Sequence, residues 1–303
     1  MQGQAYYVND PYNLGSNSPA MVAPIPGQGV AMPVPVPQAP QIVFVQDPMS
    51  ELNNCTGVII RQQPELFEAL TGCETPNRYH VYGQTPQGQK YLFKCMERSD
   101  YCSRSCCPSN IREFNMEIYH IVNLGQKLTK VFANAIKPLM CPCFCCCRPE
   151  MTLLLGEQNE VVGKIVNPYT CCDPEFDVFD RSGNAKFRVH ADCCQCGLMC
   201  ANNICGKFSS ANFDIYDGTL TNKVGQISKM PAQNYAEMVT DADSYQVSFP
   251  PQASAEDKLL LIALGLMIDY QYFETDSNSD KRSGYRYRSG YGYGYGYRGY
   301  GYY

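Results

Sequence analysis

No run of 18 or more apolar residues occurs in the sequence, which excludes a bundle of membrane-spanning helices. Tryptophan is absent, and charged residues make up 17% of the chain, below the usual quarter. Basic excess is lacking as well. A net charge of −5 and a pI of about 5.3 exclude a generally basic nucleic-acid binder. The opening residues, MQGQAYYVNDPYNLG, have neither a basic n-region nor a continuous apolar h-region, so no secretory signal is expected. No phosphate-cradling G-x-x-x-x-G-K-[ST] loop is present, and no Cys–His–Asn pattern marks a nucleophilic thiol. An ATP-driven machine is therefore not expected. What the chain does have is 45% apolar residues over 303 positions. That suffices for one large or two small domains and excludes a fully disordered polymer. It also has 18 cysteines. Cytosolic thiols stay reduced, so these need a role other than disulfides.

Charge divides the chain into three polymers. Residues 1–50 hold Asp10 and Asp47, no Lys or Arg, and 9 of the 21 prolines; residues 281–303 hold five basic residues, no acid and nine Tyr; the middle carries −8. The first segment, with Pro33-Val-Pro-Val-Pro-Gln-Ala-Pro40, is a polyproline-prone arm. The last is a Gly/Tyr/Arg-rich tail without alternation. Neither end can bury enough side chain to offset its ordering entropy, so disordered tails are expected over 1–50 and 275–303.

The middle, 51–274, reads as one mainly β domain. Short alternating runs recur, each before a turn rich in Gly, Asn or Asp: Tyr79–Tyr82, Phe114–Ile118, Thr152–Leu155, Phe176–Phe179 and Phe213–Tyr216. Each is followed by a second apolar-rich run, which makes five hairpin candidates. A short helix is expected around Pro64–Leu70. So many hairpins in succession need a sandwich or closed barrel to remove exposed edges. One segment departs from the strand pattern. Glu256–Asp269 begins with acids and is apolar on every face from Leu259 to Ile268. A helix of that kind is buried in protein or inserted in a bilayer. Its ten apolar residues span about 15 Å, against a hydrocarbon core of about 30 Å.

Five thiols, Cys141, Cys143, Cys145, Cys146 and Cys147, fall within seven residues. No acid lies between Glu117 and Glu150, whereas Lys127, Lys130, Lys137 and Arg148 are basic. Thiols beside basic and apolar residues have the character of S-acylation sites. Several acyl chains with a basic patch hold firmly to an anionic leaflet. Zn²⁺ or Cu(I) binding and unmodified burial are the other readings, although structural zinc prefers paired knuckles. Two further groups, Cys102/Cys106/Cys107 and Cys193/Cys194/Cys196/Cys200/Cys205, suit core packing, with metal binding or acylation as alternatives. Asp241–Gln252 has the length of an EF-hand loop with Asp at positions 1 and 3. It lacks the ligand at 5, the Gly at 6 and the Glu at 12.

The order of several motifs is similar to that of the phospholipid scramblase family, whose fold resembles Tubby. They are Leu66-Phe-Glu-Ala-Leu-Thr-Gly-Cys-Glu-Thr75, Cys102-Ser-Arg-Ser-Cys-Cys107, the Cys141–Cys147 run, Gly163-Lys-Ile165, Phe213-Asp-Ile215, Val224–Lys229, Thr240-Asp-Ala-Asp243, Val247-Ser-Phe-Pro250 and Ile268–Glu274. The resemblance covers nearly all of 51–274. It implies a closed twelve-stranded antiparallel barrel around a central apolar C-terminal helix, palmitate on Cys141–Cys147, and Ca²⁺ at Asp241, Asp243, Tyr245, Val247, Phe249 and position 12. Gln252 stands where the family has an acid, so weak binding is expected, at about 10⁻⁴–10⁻³ M. The family's internal nuclear-import segment would fall near Gly225–Pro231, where Lys229 is the one basic residue, so import by that route is not expected.

The implied activity is calcium-responsive, ATP-independent, bidirectional movement of phospholipids between leaflets, without bond chemistry. The implied location is the cytoplasmic face of the plasma membrane by acylation, with cytoplasm the location when unacylated. Two other classes stay open. One is a lipid-anchored adaptor that docks SH3- or WW-like domains through Pro33–Pro40. The other is nucleic-acid binding through the basic tail, which would be salt-dependent and non-specific.

Overall fold

The structure is a computed structural model that describes residues 6–7, 47–63, 75–100, 107, 111–122, 127–128, 130–140, 148–200, 204–219, 221–232 and 243–274. The Pro-rich arm through residue 46, the helix expected at Pro64–Leu70 and the Gly/Tyr/Arg tail from residue 275 lie outside them, apart from a two-residue ladder between Tyr6–Tyr7 and Lys127–Leu128.

Twelve strands form a closed antiparallel barrel in plain chain order. They are β1 (Gly57–Gln62), β2 (Arg78–Thr85), β3 (Gly88–Arg98), β4 (Phe114–His120), β5 (Ala133–Lys137) and β6 (Glu150–Leu155), then β7 (Glu160–Val166), β8 (Glu175–Asp180), β9 (Ala185–His190), β10 (Ala211–Asp217), β11 (Lys223–Met230) and β12 (Ser244–Ser248). β12 closes the ring on β1, with Tyr245 opposite Ile60 and Val247 opposite Val58. Closure leaves the barrel without an edge strand. Inward positions follow a period of two: Phe176 and Val178, Phe213 and Ile215, Tyr245 and Val247 are all buried.

Besides the strands, the described residues include three short helices: α1 (Pro48–Asn53), α2 (Cys196–Met199) and α3 (Ile204–Lys207). α1 starts within the segment expected to be an arm. Asp47 caps it, and Leu52 is fully buried in the core.

The apolar segment is a core helix, α4 (Ala255–Ile268), followed by a π-helical turn at Asp269–Phe273. Ser254 opens α4 through a capping box with Asp257. Leu259–Ile268 are buried on every face against the inward side chains of the strands, which explains the absence of a polar face. Close approach requires glycine at Gly163, where a Cβ would meet the Phe179 carbonyl oxygen at 2.3 Å and Leu260 Cδ1 at 2.8 Å. Among the described residues no helix is long and apolar enough to cross a membrane.

The two barrel ends differ. At one, short turns such as Gly156–Asn159 and Arg181–Asn184 join the strands. At the other lie the connections after Gln62, Arg98, Lys137, Val166, His190 and Met230, and the C-terminal end of α4 arrives there. Five of these six connections, all but the one after Met230, carry sixteen of the eighteen cysteines; Cys55 and Cys95 are the exceptions.

Candidate functional site

The cysteine-rich end is built on pinned strand termini. Cys141, Cys143, Cys145, Cys146 and Cys147 lie outside the described residues, but both flanks of their connection are fixed. Met140 is buried and donates its N–H to the Ile111 carbonyl at 2.8 Å. Arg148 donates to the Asn167 carbonyl at 3.0 Å, to Asn167 Oδ1 at 2.7 Å and to the Pro168 carbonyl at 2.8 Å. The five-thiol connection therefore leaves and re-enters the barrel at this end. Leu139, Tyr169, Met199 and Phe208, each at least half exposed, belong to connections at the same end.

The basic flank expected beside the thiols is not a patch. Lys137 is 1% exposed and donates to the Arg112 carbonyl at 2.7 Å. Burial, and after it the Arg112 charge, lowers the Lys137 ammonium to about 8. Lys130 lies at the opposite end, 3.5 Å from Glu157. Arg148 is engaged with Asn167 and Pro168, and the Lys127 side chain is outside the described residues. A run of four cations in sequence is dispersed because β5 carries its residues from one end of the barrel to the other.

The described residues among those expected to hold calcium do not surround one point. Asp241 is outside the described residues. Asp243 Oδ1 lies 2.9 Å from Lys229 Nζ. Tyr245 and Val247 are inward residues of β12, whose backbone pairs with β11 and β1 on both sides. At about 3.3 Å per residue, Tyr245 and Phe249 are about 13 Å apart, whereas ligands of one Ca²⁺ each lie about 2.3–2.6 Å from it. Gln252 follows the far end of β12 and is exposed. The segment is a strand because Tyr245, Val247 and Phe249 alternate apolar with polar, a pattern that the aspartate spacing concealed. Lys229, the one basic residue where the family's import segment would fall, is likewise a buried residue of a strand.

Sequence reasoning missed the polar cluster that closes this end. The buried Asp269 carboxylate accepts hydrogen bonds from the Tyr79 hydroxyl at 2.5 Å and the Tyr245 hydroxyl at 2.6 Å. Burial pushes its pKa up, against those hydrogen bonds and Lys229, which favour the anion. Both tyrosines are raised well above their usual range by burial and then by Asp269. Arg112 Nη2 lies 2.6 Å from Glu274 Oε1 and 3.7 Å from Glu97 Oε1, and its guanidinium sits 5.4 Å from the Tyr270 ring centre. Asn77 donates to the Tyr270 hydroxyl at 3.1 Å, while Glu97 accepts the Asn77 N–H at 2.8 Å. The acid, amide and tyrosines that end the apolar segment were the available signal.

The cysteines expected in the core behave differently. Cys194 and Cys196 are exposed, and Cys193 and Cys200 are partly so. Cys205 has no described side chain, and Cys102 and Cys106 are outside the described residues. The exposed Cys171 and Cys172 belong to no group singled out in the sequence.

Comparison with known proteins bears on the whole barrel. The Scramblase family model matches residues 36–275. Phospholipid scramblase 1 of Rattus norvegicus is 29% identical over 229 residues, covering 75% of this chain and 62% of its own length. Phospholipid scramblase 1 of Homo sapiens is 28% identical over 252 residues, covering 83% and 73%. Phospholipid scramblase 2 of Bos taurus is 28% identical, covering 78% of each chain. The chain thus spans a little under two thirds of the rat relative. No solved structure matches it.

Proposed function

The chain belongs to the scramblase family, and on that premise we propose that it moves phospholipids between membrane leaflets without ATP and without bond chemistry. In this proposal acyl chains on Cys141, Cys143, Cys145, Cys146 and Cys147 hold the cysteine-rich end against the cytoplasmic face of the plasma membrane. The observation that carries the orientation is the exposure of Leu139, Tyr169, Met199 and Phe208 on connections at that end. With little basic charge beside the thiols, attachment rests on several acyl chains rather than on a patch. α4 fills the barrel, so a head group does not pass through it. Lipid movement belongs instead to the bilayer under the cysteine-rich end, where the exposed apolar side chains disturb the leaflet.

Calcium acts in this proposal through Asp241 and Asp243, in competition with Lys229 and at the weak end of the range. The deciding experiment places purified, acylated chain in liposomes carrying head-group-labelled lipid and follows loss of outer-leaflet asymmetry, with and without calcium. Faster exchange than in empty liposomes is expected. Exchange equal to that of empty liposomes at all calcium concentrations overturns the transport proposal and leaves a lipid-anchored adaptor that uses Pro33–Pro40.

A further inference from the structure

A second group of thiols, at the same end of the barrel, is arranged differently from the acylation run. Pairing of Glu175 with His190 brings the connection after β7 beside the connection after β9, and Ala191 donates its N–H to the Pro174 carbonyl at 3.0 Å. Cys171, Cys172 and Asp173 thereby face His190, Asp192, Cys193 and Cys194. In a strand or helix two successive side chains diverge. Cys193 and Cys194 instead occupy a turn, and their sulfurs lie 3.9 Å apart. Two thiolates on one tetrahedral zinc, each about 2.3 Å from it, are separated by about 3.8 Å. An Asp192 carboxylate oxygen and both sulfurs lie within 4.8 Å of one another.

The surroundings fix these groups. Asp192 Oδ1 accepts the Cys194 N–H at 2.8 Å, and Asp173 Oδ1 accepts the Cys193 N–H at 3.0 Å. The other Asp173 oxygen lies 3.4 Å from His190 Nε2. Gln195 ties the turn to β10 by giving and taking hydrogen bonds with the Asn212 backbone at 2.8 and 2.7 Å. Cys171 and Cys172 are exposed on the facing connection. We propose that Asp192, Cys193 and Cys194 form a site for a borderline-to-soft divalent ion of the zinc type. Asp173 and His190 orient its ligands from outside, as partners of metal ligands do.

The experiment uses the reduced, chelator-stripped full chain titrated with Co²⁺ and then Zn²⁺. Thiolate-to-cobalt charge-transfer absorption with tetrahedral d–d bands is expected, reversed by Zn²⁺. It should persist when Cys141, Cys143, Cys145, Cys146 and Cys147 are all Ala. It should be lost in Cys193→Ser/Cys194→Ser, and Asp192→Asn should weaken the metal by about tenfold or more. If the double variant fails to fold by circular dichroism, the single variant Cys194→Ser, at an exposed position, decides by the same bands. An unchanged cobalt spectrum in the folded Cys193/Cys194 variant or in Cys194→Ser, disappearance of the bands with the Cys141–Cys147 variant, or no charge-transfer band in the parent chain would overturn the proposal.

Discussion

Lys229 holds Asp243: its ammonium lies 2.9 Å from Asp243 Oδ1 and 4.7 Å from the centre of the Phe273 ring, and the lysine is 2% exposed. An acid that the sequence offers to a divalent cation is thus already neutralised by a cation of the chain. Calcium must displace or share Asp243 with a lysine that is itself expensive to leave buried and unpaired.

The first prediction follows from that competition. Calorimetric titration of the parent chain should show weak calcium binding, at about 10⁻⁴–10⁻³ M. Lys229→Met should tighten it, because Asp243 is released, and Asp241→Ala/Asp243→Ala should abolish it. Flat titrations for both the parent and Lys229→Met would remove calcium from the function.

Lys137 makes the end of β5 sensitive to alkaline pH. Its ammonium is lowered from 10.5 to about 8 by burial and then by Arg112. Between those two values the folded chain binds fewer protons than the unfolded one, so this residue's contribution to stability rises with pH across the window and is lowest below it. Lys137→Met has no such group. Urea unfolding of both proteins at several pH values between about 7 and 10 should therefore show the parent gaining on the variant as pH rises. A difference that stays constant with pH would show that Lys137 titrates normally.

Gly163 tests how tightly the helix is threaded. A methyl group there meets the Phe179 carbonyl, which cannot move without breaking the β7–β8 pairing, as well as Leu260 of α4. Gly163→Ala should cost about 1–3 kcal/mol and lower the urea midpoint with the fold retained. A midpoint equal to the parent's would mean that both the β7–β8 pairing and α4 can yield to the added methyl group.

Much of this fold is legible in the chain, and the gaps have physical causes. Five hairpins announce themselves because each pairs a strongly alternating run with a turn. The apolar helix does so because it lacks a polar face. β5 is the least marked second strand of the five hairpins: its inward residues at Ala133 and Ala135 are small, and its last inward residue is a lysine. β12 is masked by the aspartates before it. The thiol cluster at Cys171–Asp173 and Asp192–Cys194 is legible only in three dimensions, because strand register joins two connections about twenty residues apart. The polar closure around Asp269 and Arg112 is hidden for the same reason, since its members come from β2, β3, β12, the π-helical turn and the chain before β4.

The last prediction separates the two candidate anchors. Leu259–Ile268 fills the barrel, so the same ten residues cannot enter a bilayer while the barrel stays folded. Replacing Cys141, Cys143, Cys145, Cys146 and Cys147 together by Ala should leave the thermal midpoint of the purified chain near the parent value, because the run falls between the ranges of β5 and β6 and contributes none of the described core. In fractionated cells the variant should move from the membrane pellet to the soluble fraction. Leu264→Lys should act in the opposite way. It buries an unpaired charge among apolar side chains, and the barrel should unfold in detergent-free buffer. The two results together place the anchor at the thiols and the helix in the core. If the five-Ala variant resists carbonate extraction while Leu264→Lys stays folded and leaves the membrane, α4 is the anchor, and the barrel must open to release it.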